Sequence, residues 1–220
     1  MTDSLAAWRI QDSCRYNVAA MSKKRYPVRV PRTAAGIRAQ ESRTGSGRSW
    51  WAKEWTRRLE AMGLHGRFGR GRSYAMSGQV VEMKIAGPHV TAKVQGMRPD
   101  PYAVSVDFRL PEDAVRSRMV AALRAEPMLV ARLLADDLPM EVSEMFSDEG
   151  YDLFPGGKLG PGRYDTTTAC SCPDYANPCK HTAAVLLLLG EEVARRPLTL
   201  LELRGIFMED LCDEDGDTDT

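Results

Sequence analysis

The sequence predicts an α+β fold: an antiparallel three-stranded meander, a helical layer, and a C-terminal module folded around zinc. Three observations point there. Residues 79–108 alternate apolar and polar side chains in short runs separated by Gly/Pro turns, the period of half-buried strands. Residues 111–150 change to helical spacing, with prolines where helices would begin. The stretch Cys170-Ser-Cys-Pro-Asp-Tyr-Ala-Asn-Pro-Cys-Lys-His181 places Cys170, Cys172, Cys179 and His181 at C-x-C-x6-C-x-H, a metal-ligand spacing.

Composition sets the outer limits. The 220 residues suffice for one sizeable domain or two small ones, and 43% hydrophobic with 27% charged residues is ordinary for a soluble protein. The N-terminus lacks the basic start and apolar run of a signal peptide, and the longest apolar run, 183–189, is far short of a membrane span. Three of the five cysteines fall in the ligand cluster, which argues for the reducing cytoplasm; Cys14 and Cys212 read as free thiols. The net charge of zero conceals an asymmetry. Residues 1–98 hold 19 Lys or Arg against 6 Asp or Glu, a balance of +13, and residues 99–220 carry the opposite −13. A basic half suggests an anionic partner such as nucleic acid, unless the two halves fold together and neutralise.

Along the chain, residues 1–47 are rich in Arg, Ser and Gly and read as a basic, flexible arm that would lie on a phosphate backbone. Its one alternating piece, around Val28 and Val30, is bracketed by Pro27 and Pro31 and is an edge strand at best. Residues 48–110 come next. Ser49 is a helix N-cap and Gly63 a C-cap, and Trp51, Trp55, Leu59 and Met62 recur on one face, which we read as core. Gly66–Tyr74 then alternates arginine with glycine and reads as a loop. There Arg67, Arg70 and Arg72 would hold phosphates while Phe68 or Tyr74 stacks on a base; the rival reading is a solvated turn entering a sheet. The strands are 79–85, 89–95 and 102–108, with His89 at a turn on the surface and His65 alone.

Residues 111–150 form the helical layer, three helices starting near Pro111, Pro127 and Pro139. Residues 151–207 form the zinc module: strands at 151–154 and 163–170, the ligand loop, a helix from His181 that is apolar nearly all round and so must be buried, and a packed helix within 198–207. Residues 208–220 read as an acidic disordered tail.

Cys170, Cys172, Cys179 and His181 make the Cys3His set of a closed tetrahedral site for one structural zinc ion. Four protein ligands leave no position for an activated water. Ligands two residues apart lie on one side of an extended chain, and Pro173 and Pro178 stiffen the loop between the pairs. A disulfide with a spare cysteine, or buried free thiols, would leave the histidine unexplained.

These ligands, with the words Cys170-Ser-Cys-Pro-Asp and Pro178-Cys-Lys-His-Thr-Ala-Ala-Val, resemble the SWIM zinc finger over residues 163–194. More of the chain, from Trp50 to Gly205, resembles bacterial SWIM-finger proteins associated with helicase-like ATPases of the chromatin-remodelling superfamily. The resemblance implies a ββα module that binds DNA or proteins; the finger itself brings few cations beyond Arg163 and Lys180. The resulting expectation is a non-enzymatic accessory factor that contacts nucleic acid, DNA ahead of RNA, through its basic half. The alternative is an adaptor that docks on a helicase-like ATPase. An enzyme is disfavoured, because Gly156-Gly157-Lys158 lacks the spacing of a Walker loop and no His-Glu pair sits beside the metal ligands.

Overall fold

The computed structural model describes residues 30–40, 49–62, 65–160 and 163–212. Backbone contacts divide the chain after Val30, and all the elements lie in the unit that begins at Pro31. Residues 31–40, expected in the flexible arm, are instead tied to the fold. The backbone N–H groups of Arg32, Gly36, Ile37 and Ala39 donate to the carbonyls of Gly96, Gly78, Val80 and Ala75 at 2.7–3.0 Å. Main-chain bonds of this kind leave no trace in side-chain pattern, which is why composition alone suggests an arm. The rest of that arm, with most of the strand expected around Val28, lies outside the described residues.

Helix α1 (Trp50–Ala61) begins after Ser49, whose backbone carbonyl accepts from Lys53 while its hydroxyl makes no cap bond. Gly63 lies outside the described residues. Trp51, Trp55 and Leu59 form the buried face, as the periodicity requires. The indole N–H of Trp55 donates to the Leu186 carbonyl at 3.1 Å and that of Trp50 to the Leu138 carbonyl at 2.9 Å.

The segment read as a Gly/Arg loop is a helix. A 3₁₀ turn at His65–Arg67 leads into α2 (Phe68–Met76). Two glycines inside a helix cost about 1 kcal/mol each relative to alanine, so tertiary packing must supply the stability. It does so at Gly71, where a Cβ would sit 2.6 Å from the Cβ of Ala183; only the missing side chain lets the two helices approach so closely.

Strands β1 (Val80–Ala86), β2 (His89–Val94) and β3 (Tyr102–Phe108) form the expected meander, with Val90 opposite Val106 and Ala92 opposite Val104. His89 is exposed, as expected at a turn, and pairs with Asp107 at 2.7 Å. The helical layer follows as α3 (Asp113–Arg124), α4 (Pro127–Leu134) and α5 (Met140–Asp148). Residues 151–154 are not a strand. After them come two short paired strands, β4 (Lys158–Gly160) and β5 (Arg163–Tyr164), and then β6 (Thr166–Cys170). Strand β6 pairs antiparallel with β3, so the main sheet has four strands in the order β1-β2-β3-β6 rather than three. The chain ends in α6 (Lys180–Arg195), α7 (Leu198–Glu202) and α8 (Met208–Cys212). The start of the expected disordered tail is thus helical, with Leu211 buried and the Asp210 carbonyl accepting from Arg124 at 2.7 Å. Residues 213–220 lie outside the described residues. No helix among the described residues is long and apolar enough to cross a membrane.

One buried ion pair explains the missing strand at 151–154. Arg204, with 0% of its surface exposed, donates to the carbonyls of Leu153, Phe154 and Arg109 at 3.1, 2.9 and 3.0 Å, and to Asp165 at 2.6 Å. The other oxygen of Asp165 accepts from the Gly156 N–H and the Thr166 hydroxyl. The 153–154 carbonyls therefore serve a guanidinium instead of a neighbouring strand. Every partner is met, so the pair is a satisfied network, and removing one member strands the other. Replacing Arg204 with methionine should destabilise the protein by about 3–5 kcal/mol in urea unfolding, since a buried carboxylate loses its counter-charge.

Candidate metal centre

The four candidate ligands come from two elements that converge. Cys170 ends β6, the Ser171 N–H donates to the Ala103 carbonyl, and the Ser171 hydroxyl accepts from the Ala103 N–H at 3.0 Å, which clips the first ligand pair to β3. Cys179 is the N-cap residue of α6 and His181 lies in its first turn. The three sulfurs and one imidazole nitrogen all lie within 4.8 Å of one another. Nδ1 of His181 is 3.8 Å from the Cys170 sulfur and 3.7 Å from that of Cys179. Zinc bonds of about 2.3 Å to sulfur and 2.0–2.1 Å to nitrogen put tetrahedral ligands about 3.5–3.8 Å apart, so the set fits one zinc ion.

The electrostatics agree. Cys179 is pulled down to about 2, first by the hydrogen bond from the Cys170 thiol and further by His181 and by the backbone N–H and hydroxyl of Thr182, against burial. Cys170 is pushed up, chiefly because its proton is held against Cys179 and also by burial; burial is the first cause of the rise at Cys172. Each sulfur also feels one backbone N–H that favours the thiolate: Cys172 for Cys170, Asp174 for Cys172 and Thr182 for Cys179. Cys179 sits besides at the positive end of the α6 dipole. Three thiols crowded together share protons awkwardly, whereas a dication binds all three as thiolates.

The imidazole is walled by aromatics. The Tyr74 ring meets His181 edge-on with centroids 5.1 Å apart, and Tyr102 tilts against it at 4.7 Å. Neither Tyr102 nor its neighbour Arg98, whose guanidinium lies 6.0 Å from the Tyr102 ring, is singled out by its place in the sequence. Strand alternation puts Tyr102 on the buried face, but no local pattern pairs it with a histidine 79 positions later.

The five residues expected to touch nucleic acid do not stay together. Arg67 ends the 3₁₀ turn before α2, and Arg70 lies one turn before Tyr74, whose ring meets His181. Phe68 and Arg72 line a small cavity against Trp55, Leu187 and Gly190. Tyr74 is only 8% exposed and Phe68 packs against the core, so neither aromatic offers an open face for a base. Helix formation is the physical reason: in a loop both rings could have stood free.

Residues 164–190 match the family model of the SWIM zinc finger, and the chain carries that finger. The uncharacterized protein Rv2102 of Mycobacterium tuberculosis is 35% identical over 185 residues, covering 84% of this chain. The chain spans 65% of the length of that relative. No solved structure matches the chain.

The purified chain should hold one zinc ion, measured by elemental mass spectrometry. Cys179→Ala should lose it, and chelating the metal should remove helical signal from circular dichroism, because α6 starts at the ligands.

Proposed function

We propose that this SWIM-finger chain is a non-enzymatic accessory factor that binds nucleic acid, DNA in the first place, through a rim of cations around a structural zinc centre. The observation that carries the reading is a group of three cations around the metal centre that have no carboxylate partner among the described residues, although many arginines elsewhere do. Arg57, Arg58, Arg116, Arg118, Arg132, Arg195, Arg196 and Arg204 each have a carboxylate partner. Around the metal centre, Arg70, Arg98 and Lys180 have none among the described residues. They converge there because Arg70 lies one turn before Tyr74, the Lys180 ammonium is 5.6 Å from the Tyr74 ring, and Arg98 lies over Tyr102. The two tyrosines press on His181, so all three cations stand around one ligand. They outweigh the single net negative charge of zinc bound by three thiolates and a neutral imidazole. Unpaired cations on a rigid frame suit phosphate oxygens, and the basic sequence of residues 1–47 adds to the same attraction. With four protein ligands on the metal, its part is to fold the finger rather than to activate water.

A second reading keeps the finger but makes the partner a protein, in particular a helicase-like ATPase. What favours it is the helical layer, where three apolar side chains, Met128, Leu134 and Met140, are at least half exposed.

Binding of a labelled duplex should weaken linearly in log–log plots against salt. The Arg70→Ala/Arg98→Ala/Lys180→Ala variant should reduce the slope by about 2–3, close to 0.9 for each phosphate no longer neutralised. Absence of salt-dependent binding by the zinc-loaded chain to any nucleic acid would sink the first reading and leave the second.

A further inference from the structure

We infer that Tyr175, at the tip of the zinc loop, is a stacking platform for an unpaired nucleobase, so that the strand held by the finger is single. This rests on the nucleic-acid reading above and adds the class of ligand to it. Tyr175 is 97% exposed, whereas no other Phe, Trp or Tyr among the described residues exceeds 39%. A tyrosine that supported the fold would bury at least one ring face; this one touches almost nothing of its own chain.

The loop that displays it is built to stay in place. It runs from Pro173 to Pro178 between the ligands Cys172 and Cys179. Inside it, Asp174 accepts the Ala176 N–H at 3.2 Å. The amide of Asn177 donates to the Thr168 carbonyl at 2.6 Å and accepts from the Thr168 hydroxyl at 2.6 Å, fastening the loop to β6. Only the two torsions of the Tyr175 side chain need be ordered when a flat ligand arrives, so stacking loses little entropy. Lys180, five residues further on, opens α6 and bears an ammonium without a carboxylate partner among the described residues. An exposed ring on the zinc loop, five residues before an unpaired cation, supplies the two kinds of group that single strands require, one for the base and the other for the phosphate. In a duplex the bases already stack on one another and offer the ring no face.

The test measures fluorescence anisotropy of the full zinc-loaded chain with three probes: a 20-nucleotide oligothymidine, a 20-nucleotide oligouridine, and a 20-base-pair DNA duplex. Tyr175→Ala should weaken binding to one or both single strands by about 5- to 100-fold, the effect of removing one base–aromatic stack. Tyr175→Phe should retain it, and the duplex should change less than about twofold. Weaker binding of oligothymidine, oligouridine or both supports the inference and identifies the sugar preferred. Unchanged single-strand binding by Tyr175→Ala, or an equal weakening on the duplex, overturns it. The Arg70→Ala/Arg98→Ala/Lys180→Ala variant separates the two levels. If it weakens binding while Tyr175→Ala does not, only the stacking role fails; if no probe binds the unmodified chain, the underlying reading fails as well.

Discussion

Everything else in this structure is arranged around one constraint: α6 is apolar nearly all round and cannot face water on any side for long. Ala183, Ala184, Val185, Leu186, Leu189 and Val193 have 0% exposure, so sheet, α1 and α2 must all cover the helix at once. Its first turn carries one metal ligand and the residue before it carries another. The sulfur that favours a thiolate there also meets the positive end of the helix dipole. Metal binding and core formation are therefore one event, because holding Cys179 and His181 beside Cys170 fixes the entry of the helix that fills the core.

Covering a helix on every side requires close approach, and the sequence provides it with small residues. Gly71 of α2 lies against Ala183, and a Cβ at Gly190 would stand 2.5 Å from the Trp55 indole, so α1 and α2 both reach the α6 backbone. One role is thereby reversed. The glycines between arginines, which locally read as a flexible phosphate-binding loop, belong to a helix, and Gly71 among them is a point of helix–helix packing. Trp51 and Trp55 are core residues as their spacing requires, and the indole donors of Trp50 and Trp55 are taken by carbonyls.

How much was legible follows from the range of each interaction. Strands β1 to β3 and the helices near Pro111, Pro127 and Pro139 write their period into neighbouring residues, and they appear where periodicity puts them. The four metal ligands were legible because their spacing is itself the signal, and all of it lies within twelve residues. Helix α2 was not, since its local propensity is poor and its stability comes from α6, more than a hundred positions later. The false strand at 151–154 has the same origin: its carbonyls belong to Arg204, fifty residues away, and no local pattern announces that. The fourth strand needed the knowledge that β6 lies beside β3, which follows from the fold and not from β6 alone.

Charge follows the same rule. The +13 and −13 halves are net balances, so pairs within one half, such as Arg57 with Glu54, Arg132 with Asp137 and Arg195 with Glu192, leave them unchanged, while Arg58 with Asp152 joins the two. Surface pairs of this kind contribute little to stability but they do remove cations from the pool available to a partner. A charge count therefore points to the sign of a partner without locating it; the location comes from asking which cations keep no carboxylate. Those beside the finger come from three separated places, α2, the β2–β3 turn and the start of α6, and they meet only because two tyrosines pack on the imidazole of a metal ligand. The zinc centre thus acts on the surface charge through packing: it orients His181, His181 positions Tyr74 and Tyr102, and the tyrosines gather the cations.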